Sequence, residues 1–243
     1  MNQILEIDAN FRTGAQLPSI EEHYIDIWKL AKVLETLGHP LDQWFPPADT
    51  EANSLLNTAF TELGPSTAAL AMAKADSDNL ATDLRTLGVW NGKEDEGAIA
   101  YTATYNTGPF PSTLNFSSKG AAVLRDRSNV IKLVLAIVNM WKPMVVQIAP
   151  GGYLQKSVFP DRPGAGWMLY LPFAINAQQI PEAADVIKIM DDKSKTQRGS
   201  LIVTVAETFD LQNPEHIKKA NAIETRLVDQ DLLPTNSDFV TKF

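Results

Sequence analysis

The chain has 243 residues, 44% hydrophobic and 21% charged, an ordinary globular composition long enough to bury a sizeable core. Its formal charge is −8 and it contains no cysteine, which excludes disulfides and thiolate zinc sites and makes a phosphate backbone an unfavourable direct ligand. The longest apolar run, Val130 to Trp141, is interrupted by Lys132 and Asn139 and is too short to span a bilayer, and no basic segment precedes an apolar stretch at the start; a cytoplasmic protein with no membrane contact is therefore expected.

The first expected element is a strand over Gln3 to Phe11, where apolar and polar residues alternate. Pro18 and Ser19-Ile20-Glu21-Glu22 then announce a helix with a capping box. Ile20, Tyr24, Ile27, Trp28, Ala31 and Leu34 recur at helical spacing, Gly38 stands at the C-terminal cap and Pro40 prevents continuation. Leu41 to Phe45 is expected as a short strand ended by Pro46-Pro47, with Trp44 and Phe45 turned to the core. Pro65 to Ala75 is alanine-rich and helical, ending at Asp76 to Asp78. Three strands follow: Arg85 to Trp90, Ala98 to Tyr105, and one containing Thr113 to Phe116. Asn91-Gly92 signals a turn, in a connection longer than two residues that carries Glu94, Asp95 and Glu96.

Ser128 or Asn129 caps a helix to about Trp141, apolar nearly all round and hence central. A strand over Met144 to Ile148 ends at Pro150-Gly151-Gly152. In Phe159 to Pro172, FPDRPGAGWMLYLP, prolines and glycines make a loop that holds Asp161 and Arg162, and Gly166 to Leu171 reads as a buried strand. Ala184 to Met190 fits a helix end or a strand, Asp191 to Arg198 a polar loop, and Leu201 to Val205 a strand. Asn213, Pro214 and Glu215 open the last helix, which ends before Pro234; the tail to Phe243 is expected to be loosely held. This succession predicts the α+β class: antiparallel-rich sheet with long helices packed on it. A single domain over residues 1–243 is expected, within which about 1–120 and 121–243 run in similar order, as duplicated halves would. Trp28, Val134, Ile137, Trp167, Leu169, Val203 and Ile223 are expected in the core.

Motifs for chemistry are sparse. His23, His39 and His216 are scattered, with no zinc-helix spacing, and His216 is expected on the surface. There is no nucleophile elbow, and Gly164-Ala165-Gly166 lacks the third glycine and following helix of a dinucleotide site. Asp161, then Asp191-Asp192-Lys193, loosely imitates a metal-dependent nuclease, and Glu224 adds a third carboxylate. Glu224 falls inside the apolar arc Ile217, Ala220, Ile223, Leu227 and Val228, with Asp231 on the same side. A carboxylate there is either a structural acid held by a buried donor or a catalytic one; the structural reading is preferred, because no partner constellation is visible.

Four stretches carry a wider resemblance: Gly88 to Gly97 (GVWNGKEDEG), the Phe159–Pro172 segment, Arg198 to Val203 (RGSLIV), and Asn213 to Pro234 (NPEHIKKANAIETRLVDQDLLP). In this order and spacing the chain resembles the immunity protein 52 family of bacterial polymorphic-toxin systems. The resemblance implies a cytoplasmic antidote, encoded beside a toxin with a restriction-endonuclease-like domain that is delivered between cells, often by type VI secretion. Such a protein binds its cognate toxin and is not an enzyme; it implies no catalytic residue, cofactor or metal. Nuclease domains need basic surfaces, so an acidic inhibitor has a physical rationale. The candidate contacts are the acids Glu94, Asp95 and Glu96, the aromatics Trp44 and Trp90 where exposed, and Asp161 and Arg162. The competing class is a metal-dependent hydrolase or nuclease using Asp161, Asp191 and Glu224.

Overall fold

The structure, a computed structural model, describes residues 3–77, 83–191 and 195–241. Strand β1 (Ile4–Phe11) keeps the predicted alternation: Ile7, Ala9 and Phe11 are buried, while Glu6, Asp8 and Asn10 on the other face are half-buried. Helix α1 (Ile20–Glu35) starts with the predicted capping box, Ser19 Oγ accepting from the Glu22 N–H and the Glu22 carboxylate accepting from the Ser19 N–H. Leu41–Gln43 is a 3-10 turn instead of the expected strand. The two prolines after Phe45 lack ladder donors, so only Phe45 joins the sheet, by an isolated bridge to Trp90. A small lobe follows: α2 (Glu51–Ser54), then β2 (Phe60–Thr61) and β3 (Gly64–Pro65) in a hairpin, then α3 (Thr67–Ser77). Asp78, the far end of the expected helix stop, lies outside the described residues.

Strands β4 (Leu84–Trp90), β5 (Ala98–Asn106) and β6 (Ser112–Lys119) form an antiparallel meander. Helix α4 (Arg127–Trp141) is capped by Asp126, whose carboxylate accepts from the Ser128 N–H, and not by Ser128 or Asn129 themselves. The helix ends at Lys142 in the left-handed region, and Pro143 stops it. Strands β7 (Val145–Pro150), β8 (Met168–Leu171), β9 (Asp185–Met190) and β10 (Gln197–Val203) complete the sheet, so the ambiguous Ala184–Met190 stretch is a strand. Helix α5 (Pro214–Asp229) begins at the Asn213 cap, and a short α6 (Asp238–Thr241) follows.

The eight long strands make one sheet in the order β4-β5-β6-β1-β7-β8-β10-β9, with every ladder antiparallel. Residues 4–119 supply four adjoining strands and residues 145–203 the other four. Inward from the edges the orders are β4-β5-β6-β1 and β9-β10-β8-β7, so the two connect differently.

Helices α1 and α4 cover one face. Tyr101 Oη donates to the Ile27 carbonyl, and Trp141 Nε1 donates to Tyr105 Oη, which itself donates to Asp26. His23 is buried in the same layer; its Nδ1 accepts from Arg85 Nε, so Nε2 carries the proton and donates to the Ala103 carbonyl. Burial, with Arg85 adding to it, holds the His23 pKa down to about 3. Contrary to expectation, α4 is one-sided: Ser128, Lys132 and Asn139 stay exposed.

The second face is divided. Gln147 shares the face of its ladder partner Asp8, and its Oε1 accepts from the Gly164 N–H, so the 151–166 segment lies over β7. Leu169 and Ile202, in register on that face, are fully buried. Over β5, β6 and β1 no described helix covers this face, and Asn115 and Ser117 are exposed; at its β4 edge Trp90 meets Ser54 of α2. Of the expected core residues, Val134, Ile137, Trp167, Leu169, Val203 and Ile223 are buried. Trp28 is only half-buried, because its indole N–H reaches out to the Thr61 carbonyl at 3.0 Å.

Candidate partner-binding surface

The acidic loop hangs from a rigid turn. Asn91 is buried; its Nδ2 donates to the Gly97 carbonyl and its Oδ1 accepts from the Ile99 N–H, closing the β4–β5 connection from inside. Gly92, at φ +68°, takes the left-handed turn position, and an added Cβ would lie 2.9 Å from the Phe45 ring. Beyond it Glu94, Asp95 and Glu96 are exposed, and only Asp95 is ion-paired among the described residues, with Lys119 at 2.9 Å. Trp90, beside the loop, is half-buried and donates its indole N–H to Ser54 Oγ. Next to it Leu55 and Leu56 are exposed, apolar residues that the sequence reading did not single out. Trp44 is different. It is wholly buried against Tyr101, ring centroids 5.2 Å apart, and has no surface to offer a partner; the anchor role is withdrawn and the core role stands.

The Phe159–Pro172 loop is held from two sides. Glu224 of α5 is 1% exposed; its Oε1 accepts from Tyr153 Oη at 2.6 Å and from the Ala165 N–H, and its Oε2 from the Val158 N–H at 2.7 Å. Burial, and then the Glu224 charge, raise the Tyr153 pKa, so the phenol stays a donor. Arg162 donates to the Leu233 carbonyl and lies over the Phe159 ring, while the Asp161 carbonyl accepts from the Asn236 N–H. Arg162 therefore ties the loop to the segment after α5, and the Asp161 side chain remains exposed beside it. The tail is less loose than expected: Phe239 is buried, and Arg12 donates to the carbonyls of Phe239 and Val240. Phe243 lies outside the described residues. His216 is buried, not exposed; its Nδ1 accepts from the Asp210 N–H and its Nε2 donates to Glu207 at 3.0 Å. Asp231 lies beyond the end of α5 and is exposed.

The uncovered sheet face forms a groove along β1. Its floor is made of short side chains, with Ala100, Thr102, Asn115 and Ser117 around Glu6 and Asp8 in a cavity of 230 Å³. Asp8 also lines an adjoining 210 Å³ cavity under Leu154, Pro160 and Arg162. The Asp8 carboxylate accepts from Asn115 Nδ2 at 2.8 Å. Burial raises the pKa of both acids, the neighbouring Asp8 charge adding to the effect at Glu6 and the Asn115 hydrogen bond opposing it at Asp8.

The three carboxylates of the competing class are not brought together. Glu224 is engaged under the loop, Asp191 is paired with Arg198 at 2.5 Å, and Asp161 projects to solvent. Among the described residues no group of three His, Asp or Glu is placed to hold a metal ion. Asp192 and Lys193 lie outside the described residues. No described helix is long and apolar enough to cross a membrane.

The fold is that of an α+β protein built on one antiparallel sheet, with an open face and an acidic turn. The family model described as immunity protein 52 matches residues 21–236, and the chain belongs to that family. Among solved structures it is similar to the Pseudomonas aeruginosa T6SS protein PA0821, with a TM-score of 0.56 and 13% identity, over 93% of this chain and 72% of that one. At that identity the likeness is one of fold. No curated protein matches the chain.

Proposed function

We propose that this protein neutralises a cognate toxin by tight, stoichiometric association and performs no chemistry of its own. Membership of an immunity-protein family carries this reading. We assign the toxin as a basic nuclease of the restriction-endonuclease fold, delivered by type VI secretion and met in the cytoplasm. The formal charge of −8 and the acids in exposed turns support a cationic partner, and the fold shared with a T6SS protein supports the delivery route. Glu94, Asp95, Glu96 and Asp161 speed the encounter. Trp90, Leu55 and Leu56 supply apolar area beside the acidic turn and slow dissociation. Arg162 contributes by holding its loop in place.

The test uses the toxin encoded beside the gene. Cells expressing it should survive when this protein is co-expressed; cell death would overturn the immunity reading. The triple variant Glu94→Lys, Asp95→Lys, Glu96→Lys, with folding checked by circular dichroism, should associate more slowly at low salt and with a flatter salt dependence. An unchanged rate would remove this loop from the interface and leave the immunity reading standing.

A further inference from the structure

Glu6 and Asp8 stand two residues apart on one face of a central strand, roughly 7 Å from each other by strand rise. Charged residues on open sheet faces are commonly balanced by opposite charges on the neighbouring strands. Here they are not. The cross-strand neighbours of Glu6 are Ser117 and Ala149, and those of Asp8 are Asn115 and Gln147; all four are neutral. Neither acid has an ion pair among the described residues. Lys119 is paired with Asp95, and Arg162, which lines the cavity beside Asp8, is bonded to the Leu233 carbonyl and makes no ion pair with Asp8. The fold thus holds two half-buried carboxylates that make no ion pair among the described residues.

The surroundings are shaped for an incoming chain. The floor side chains are short, which gives the groove its depth, and the two cavities meet at Asp8. One wall is the 151–163 segment, where Leu154, 60% exposed, lines the cavity beside Asp8. That wall is stiff, because the Val158 N–H is held by the buried Glu224. A pre-formed wall reduces the ordering cost of binding.

We propose that this uncovered face of β5, β6 and β1 is the principal docking site for the toxin, and that it receives a basic loop whose Arg or Lys side chains reach Glu6 and Asp8 while an apolar residue beside them packs on Leu154. The proposal rests on the toxin-binding reading above and places the larger share of the affinity here, with the 94–96 turn and its apolar neighbours contributing the rest. Charge complementarity selects the occupant: a cationic side chain is the group that two neighbouring acids without an ion pair accept most favourably.

Titration calorimetry with the purified toxin domain encoded beside the gene tests it. The double variant Glu6→Gln, Asp8→Asn keeps hydrogen-bonding atoms and shape, and should bind at least tenfold more weakly. A second variant, Ser117→Trp, leaves both acids intact and fills the groove from its exposed floor; it too should lose at least tenfold in affinity. Thermal melts establish that each variant is folded. Wild-type affinity in a folded variant of either kind would overturn the docking site while the immunity reading survives. Absence of binding by the wild-type protein would overturn the immunity reading itself.

Discussion

Glu224 shows how much one buried side chain can organise. It accepts three hydrogen bonds, two from backbone amides of a loop and one from a phenol, and so replaces the water that this loop would otherwise need. Replacing it with alanine leaves three donors unpaired in a buried site. We expect Glu224→Ala to lower stability by roughly 1–3 kcal/mol, read as a lower melting temperature. A variant with full thermal stability and lost toxin protection would instead make Glu224 a contact residue. Its structural role was legible in the sequence because an acid inside an apolar helical arc demands a donor. Which donors was not legible, since Tyr153 lies 71 residues away along the chain. Glu6 and Asp8 were missed for a related reason. In sequence they are the polar half of an alternating strand, and their neutral cross-strand neighbours depend on which residues β6 and β7 bring beside them.

At the scale of elements, local chemistry made helix starts legible. The Ser19 box and the Asn213 cap are both present, as each depends on residues within four positions. Short segments were harder to place. Leu41–Gln43 turns as 3-10 because Pro40 presents its carbonyl to the Gln43 N–H, which a periodicity argument does not weigh. The loop before β8 depends on close backbone approach. Gly166 has φ +51°, and a Cβ there would lie 2.6 Å from the Ile148 carbonyl oxygen. Gly166→Ala should therefore cost at least about 1–2 kcal/mol from the left-handed conformation alone, with the clash adding to it. Urea unfolding should show a lower midpoint at an unchanged slope. A midpoint equal to wild type would mean that the strand end relaxes freely. The acidic turn was visible as a charge run, and its framing by Asn91 follows from the Asn-Gly signal.

For the whole molecule, the decisive fact is that β1 pairs with β6 on one side and β7 on the other, so one ladder system joins the strands of both halves without a seam. We predict a single cooperative transition in calorimetry, and limited proteolysis that yields no stable half; two separate transitions would show independent units. The same central position of β1 governs the order of events during synthesis. Asp8 and Asn115, bonded across the β1–β6 ladder, are 107 residues apart. At about 5–20 residues per second, the ribosome leaves β1 without either neighbour for several seconds, and β7 emerges later still. The groove along β1 takes form only when those neighbours are in place, and its Leu154–Val158 wall is pinned only after Glu224 has been made. A newly translated chain therefore completes the proposed docking face only after the segment through Glu224 has left the ribosome. Molecules completed earlier would have to provide any protection needed in that interval.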